Sequence, residues 1–170
     1  IVSFIFLTIS SATVINLYQA ENYFRHVTGL SNAKAPQVLI MNLVQKYKEI
    51  TFLDPSRQPK LAEIAYSYSD FSTGDKIMSD LLIKNPRWSE AINFYALTLQ
   101  QRQRYNEAIN LRLKIRALDP WNASNELEIG KMYSQINQKT LAIFALNRAI
   151  DLAGTRPESS IAKNILSGIQ

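Results

Sequence analysis

The sequence predicts an all-α chain of stacked helical hairpins, preceded by an apolar helix. Three observations carry that expectation. Only five Gly and six Pro occur in 170 residues, too few to punctuate the many turns of a β-sandwich. Apolar residues recur at helical spacing, as in Leu141, Ala142, Ala145, Leu146, Ala149 and Ile150. Small residues and helix breakers return at a fixed interval of 34 positions.

That interval defines the organisation. Gly130, Tyr133, Ala142, Ala149 and Gly154 mark five slots. Shifted back by 34 the same slots hold Ala96, Leu99, Ala108, Ile115 and Pro120, and by 34 again Ala62, Ala65, Gly74, Leu81 and Pro86. Small side chains suit the places where two helices of a hairpin cross closely. Pro or Gly suits the place where the second helix must stop. The polar turns "QQRQR" and "QINQK" separate paired helices, and "FLDP", "IKNP" and "ALDP" end three successive second helices.

The stretches "ELEIGKMYSQINQKTLAIFALNRAIDLA" (126–153) and "AINFYALTLQQRQRYNEAINLRLKIRALDP" (91–120) resemble the tetratricopeptide repeat (TPR) family. The resemblance implies a right-handed α-α superhelix with repeats at 55–88, 89–122 and 123–156, and Ala96, Ala108, Pro120, Gly130, Tyr133, Ala142 and Ala149 as structural repeat positions. Residues 31–54 read as a degenerate second helix whose partner is the tail of the preceding apolar helix. Residues 157–170, with Pro157 placed to start a helix, read as a cap over the last apolar face.

The amino-terminal stretch is a different material. "IVSFIFLTISSATVINLY" carries no charge, and the first charged residue is Glu21. About 17–20 mostly apolar residues suffice to span a bilayer, so residues 1–18 are expected to be the end of a transmembrane segment. A buried or partner-covered helix and a signal or anchor remnant are the alternatives. Tyr18, Tyr23 and Phe24 suit an interfacial aromatic belt. The apolar pattern continues through Leu17, Ala20, Phe24, Val27 and Leu30, so residues 1–30 are read as one apolar rod running into an amphipathic helix. This order, closed by "LDPWNASNELEIGKMY", resembles the C-terminal tails of bacterial O-antigen ligase/polymerase-type membrane proteins. That resemblance implies an extracytoplasmic accessory tail, tethered to the membrane, that docks protein partners or glycan. The rival is a soluble TPR adaptor or assembly factor, cytoplasmic, with residues 1–30 as a packed capping helix.

Composition removes several classes of chemistry. The absence of Cys excludes disulfides, cysteine-based zinc sites and thiol catalysis. The one His, His26, stands beside Arg25 without an HExxH pattern, so no metal site is expected. No GxSxG elbow, phosphate-binding Gly-rich loop or dinucleotide fingerprint occurs, so neither a cofactor nor catalysis by this chain is expected. The net charge is +5. Its main contributors, Arg102, Arg104, Arg112, Lys114 and Arg116, surround one helix and its turn without interleaved aromatics, a solvated face and not a nucleic-acid footprint.

Function is therefore sought on the concave face, lined by first helices. Helical stepping places Tyr66 and Asp70, Asn93, Leu97 and Gln101, and Lys131 and Gln135 there, as a surface for a protein or peptide partner. Glu63, Ser67, Gln100, Leu127 and Ser134 fall on the same face. Two departures from the repeat motif stand out. Glu126 occupies a slot that the family fills with an aromatic, and Arg112 one that it fills with a large apolar residue. An inter-repeat ion pair between Arg112 and Glu126, with Arg116 one turn on, is the expectation; the alternative is an anion site on Arg112 and Arg116. Asn122 reads as a helix N-cap more than as a glycosylation sequon. Trp121 is expected to wedge between neighbouring repeats.

Overall fold

The computed structural model describes residues 2–49 and 54–169, and the side chains from residue 14 onward within them apart from that of Lys48. All secondary structure among the described residues is helical. The chain divides into two compact units, residues 1–84 and 85–170.

The first unit opens with α1 (Val2–Asn32), followed by α2 (Gln37–Glu49). Lys34 turns the chain with φ of 53°, and Pro36 stands directly before α2. The two helices pack through Ala20, Val27, Ile40, Val44 and Tyr47, all buried. A short 3-10 turn (Pro55–Arg57) then leads into α3 (Gln58–Ser67), which forms a hairpin with α4 (Phe71–Lys84). Asp54 caps the turn by accepting from the backbone N–H of Ser56.

The contact of α1 with this turn is electrostatic as well as apolar. Glu21 pairs with Arg25 and Arg57, and the Arg57 guanidinium lies 4.8 Å from the centroid of the Phe24 ring. Phe24 in turn packs on Tyr47, with ring centroids 6.2 Å apart. The two arginines hold the Glu21 carboxyl below the usual carboxylate range. Phe24 is thus used inside the unit, packed between Tyr47 and Arg57. The expected transmembrane end lies largely on residues 1–13, whose side chains are outside the described residues. Among the described residues no helix is long and apolar enough to cross a membrane.

The second unit contains two hairpins and a closing helix. α5 (Ser89–Gln101) pairs with α6 (Tyr105–Leu118), and α7 (Ala123–Gln135) with α8 (Lys139–Ala153). α6 also packs on α7, and α9 (Pro157–Ile169) lies across α7 and α8. At the helix crossings Ala96, Ala108, Ala142 and Ala149 are fully buried, and Gly130 is buried against Leu146. A Cβ on Gly130 would stand 2.6 Å from Leu146 Cγ, so the α7–α8 approach requires glycine there. Leu127, Leu146, Ala149 and Ala162 form the core under α9, with Ile150, Ile165, Leu166 and Ile169 packed around it.

The hairpin turns repeat one backbone solution. Ser69, Gln103 and Asn137 have φ of 59°, 58° and 58°, and Asp70, Arg104 and Gln138 donate their N–H groups back to Ala65, Leu99 and Tyr133. This is the left-handed helix stop in which the N–H two residues past the cap reaches back into the last turn. Asn122 caps α7 by accepting from Asn125 N–H at 2.9 Å. Trp121 does not wedge between helices; it is 77% exposed. Its N–H is tied to Asp119 Oδ1, and Arg148 donates to the carbonyl of Pro120, which together fix the turn with the indole outward.

Candidate partner-binding groove

One face of the second unit is open where α5, α7 and α9 meet. Its groove has a volume of about 650 Å³, lined by Leu97, Gln100, Gln101, Tyr105, Lys131, Met132, Gln135 and Ile165. The floor is apolar: Met132 is fully buried and Leu97 is 40% exposed. Amide side chains and one ammonium rim it, a mixture suited to holding a peptide main chain through hydrogen bonds over an apolar contact.

The rim is prearranged by Glu128. Its carboxylate accepts from Lys131 Nζ at 2.7 Å and from Gln100 Nε2 at 2.9 Å. Burial alone would push the Glu128 carboxyl up, but these two hydrogen bonds, with the charges of Lys131 and Arg112, outweigh it and hold the group below the usual range. Lys131 is therefore held toward the rim by its bond to Glu128.

The residues expected on the concave face separate into four groups. Leu97, Gln101, Lys131 and Gln135 converge on the groove. Asn93 is diverted, accepting from Arg112 Nη1 at 2.8 Å. Leu127 is buried beneath α9. In the first unit Tyr66 lies over Gly74, where an added Cβ would be 2.3 Å from its ring, and donates its hydroxyl to Asp75. Asp70 accepts from Thr73 N–H at the start of α4. Tyr66 and Asp70 are thus engaged in the α3–α4 hairpin. Tyr105, Met132 and Ile165 went unforeseen as groove residues, although Ile165 keeps helical spacing with Ala162, Leu166 and Ile169.

The expected Arg112–Glu126 pair is corrected. Glu126, 1% exposed, accepts two bonds of 2.6 Å from Arg116, with Arg148 Nε 3.4 Å away. Arg112 sits one helical turn earlier and faces Asn93 and Asn125 instead, the latter donating Nδ2–H to the Arg112 carbonyl at 3.1 Å. Burial lowers the Arg112 guanidinium from its ordinary value, opposed by the charge of Glu128. No group of three or more His, Cys, Asp or Glu able to hold a metal ion occurs among the described residues.

No family model matches the chain, and no curated protein matches it. Solved structures do. MamA RS-1, an ArsTM double mutant, superimposes with a TM-score of 0.66 at 16% identity, covering 89% of this chain and 83% of that one. The Yersinia enterocolitica type III secretion chaperone SycD, in complex with a peptide of the translocator YopD, gives 0.59 at 18% identity, covering 71% and 95%. A CopN–Scc3 complex gives 0.55 at 20% identity, covering 74% and 72%. The chain therefore has a TPR-like helical-repeat fold. The comparisons carry no link to O-antigen ligase or polymerase proteins.

Proposed function

We propose that a chain of this TPR-like fold is a protein-interaction scaffold that seats a peptide segment of its partner in the groove between α5, α7 and α9. The observation that supports it is the convergence of Leu97, Gln101, Lys131 and Gln135 on one cavity, with Lys131 held by Glu128. The SycD structure, which contains a translocator peptide, is a precedent for peptide binding on a fold of this kind. The soluble-adaptor reading fits these observations more directly than the membrane-tail reading.

The test is selection of peptides from a displayed library on the intact chain, followed by calorimetry on variants. Leu97→Glu places a charge on the apolar floor and is expected to weaken a selected peptide about 30-fold, the effect of losing a central contact of about 2 kcal/mol. Unchanged affinity in both Leu97→Glu and Lys131→Glu would remove the groove as the site.

A second reading draws on α1. Val14, Ile15 and Tyr18 are 63%, 56% and 74% exposed, an apolar face next to the uncharged residues before it. It supports attachment of the amino-terminal part of α1 to an apolar surroundings, a bilayer included. Flotation of the intact chain with lipid vesicles tests it: co-flotation that Val14→Glu/Ile15→Glu abolishes is expected, and a chain that stays monomeric and vesicle-free without detergent refutes it.

A further inference from the structure

Glu21 is the first charged residue of the chain, and it is committed to a distant element. Arg57 pairs through Nη1 with Glu21 on α1, and through Nε, at 3.2 Å, with Asp54 of its own turn. Its guanidinium lies at the same time over the Phe24 ring, 4.8 Å from the centroid. The turn is shaped to aim that side chain. Asp54 accepts from the N–H and the hydroxyl of Ser56, at 2.9 and 2.7 Å, and Pro55 presets the backbone of the first position. Arg57 then stands directly before α3. Phe24 packs on Tyr47, which is fully buried on α2. One cation therefore ties α1 to the entry of α3 and, through two rings, to α2.

The tie is open to solvent. The side chains of Arg57, Glu21 and Asp54 are 29%, 35% and 44% exposed, whereas the Glu126 carboxylate of the second unit is buried. Exposed charge pairs are screened by salt, and buried ones much less. Acid acts on the same groups. The groups facing Glu21 are Arg25 of α1, Arg57 and Asp54 of the turn, and Tyr47 of α2. Arg25 and then Arg57 hold the Glu21 carboxyl below its usual range, and the Ser56 hydroxyl does the same for Asp54. A carboxylate depressed in the folded state stabilises it fully above the ordinary value, and that contribution is lost as pH falls through the folded one. What the tie covers is apolar. Phe24 lies two helical turns beyond Leu17 on the same side of α1, beside the exposed Val14 and Tyr18.

We propose that Arg57 is an ionic latch closed over Phe24, and that acid or high ionic strength releases it and lengthens the exposed apolar face of α1. Acid removes the carboxylates that hold the guanidinium, and salt screens the attraction. The latch lies wholly within the first unit and is independent of the peptide groove.

The experiment is NMR on the intact, 15N- and 13C-labelled chain. Raising NaCl to about 1 M at constant pH shortens the screening length to about 3 Å. The Arg57 Nε–H is then expected to exchange with water about fivefold faster, the combined effect of one exposed ion pair and one cation–π contact. The Arg116 Nε–H, bonded to the buried Glu126, is the internal control and stays unchanged. A neutral paramagnetic chelate broadens the Phe24 ring protons in high salt, and also at low salt once pH falls to about 3, below the ordinary carboxylate value. Glu21→Gln opens the ring to the chelate at low salt and neutral pH. Arg57→Gln raises the titration midpoint of the Glu21 carboxyl, and Arg57→Lys, which keeps the charge, restores it in part. Three results overturn the proposal: an Arg57 Nε–H that ignores salt; equal acceleration at Arg57 and Arg116; or a Phe24 ring equally open to the chelate under every condition. The first two are read on the wild-type chain, so they stand even if a variant fails to fold.

Discussion

Arg116→Met is expected to lower the stability of the chain by about 3 kcal/mol, whereas Arg112→Met is expected to leave it unchanged or raise it. The two arginines are four residues apart on one helix, yet their circumstances are opposite. Arg116 makes both hydrogen bonds to a carboxylate that is 1% exposed. Removing it leaves a buried anion whose remaining cation, Arg148, approaches to 3.4 Å without a hydrogen bond. Loss of one member of a buried pair costs about 3–5 kcal/mol, and the residual attraction of Arg148 places this case at the low end. Arg112 gives up one hydrogen bond to an amide on substitution and relieves the burial of a charge that Glu128 offsets only in part, with methionine filling its volume. Urea denaturation of both variants, followed by far-UV circular dichroism, measures the contrast. Equal losses would mean that the charge on Glu126 is shared across α6 and not held by Arg116.

Leu146→Ala is the second large effect, expected near the upper part of the range of about 2–5 kcal/mol for buried leucines. The reason is what surrounds it. Leu146 is fully buried against Gly130, Ala149, Ala162 and Leu127. Three of those four have no side chain that can move into the space, so the void persists. The same geometry predicts a coupling. Gly130→Ala alone forces its methyl to 2.6 Å from Leu146 Cγ and is expected to cost about 1–2 kcal/mol after the helical gain of alanine over glycine. In a Leu146→Ala background that methyl enters vacated space. The double variant should be more stable than the sum of the singles by at least about 1 kcal/mol, read by the same denaturation cycle. Additivity would mean that the α7–α8 spacing relaxes freely, contrary to the close crossing observed.

Much of this architecture was legible because helix crossings demand small residues, and these recur in the sequence every 34 positions. For a related reason helical stepping grouped Leu97, Gln101, Lys131 and Gln135, and the four line one groove of the structure. The failures have physical causes. Arg112 and Arg116 share a face of α6, and which of them meets Glu126 depends on the axial stagger of α6 and α7. The turn 119–122 sets that stagger, and residue types do not reveal it. Tyr66 was misplaced because the glycine at position 74 leaves a hollow that an aromatic ring one hairpin-arm away fills. A Gly in a slot usually held by Ala was the available signal. Leu127 was misplaced because the reading stopped at the repeat and did not lay α9 across it. Trp121 was judged by its size, while the hydrogen bonds of Asp119 and Arg148 to the turn decided where it points.

The left-handed turns at Ser69, Gln103 and Asn137 show what the chain can and cannot alter. Three different side chains occupy the position, and the same N–H to carbonyl bond of 2.9 Å follows each of them. Turn geometry here belongs to the main chain, so exchange among unbranched or small residues costs little, while proline or a β-branched side chain does not suit the positive φ. Insertion is another matter: one added residue rotates the next helix by about 100° and carries its apolar stripe toward water. Such a protein can drift in composition until little resemblance to related sequences is left, while its architecture stays intact. Its rigid quantity is the count of residues between turns.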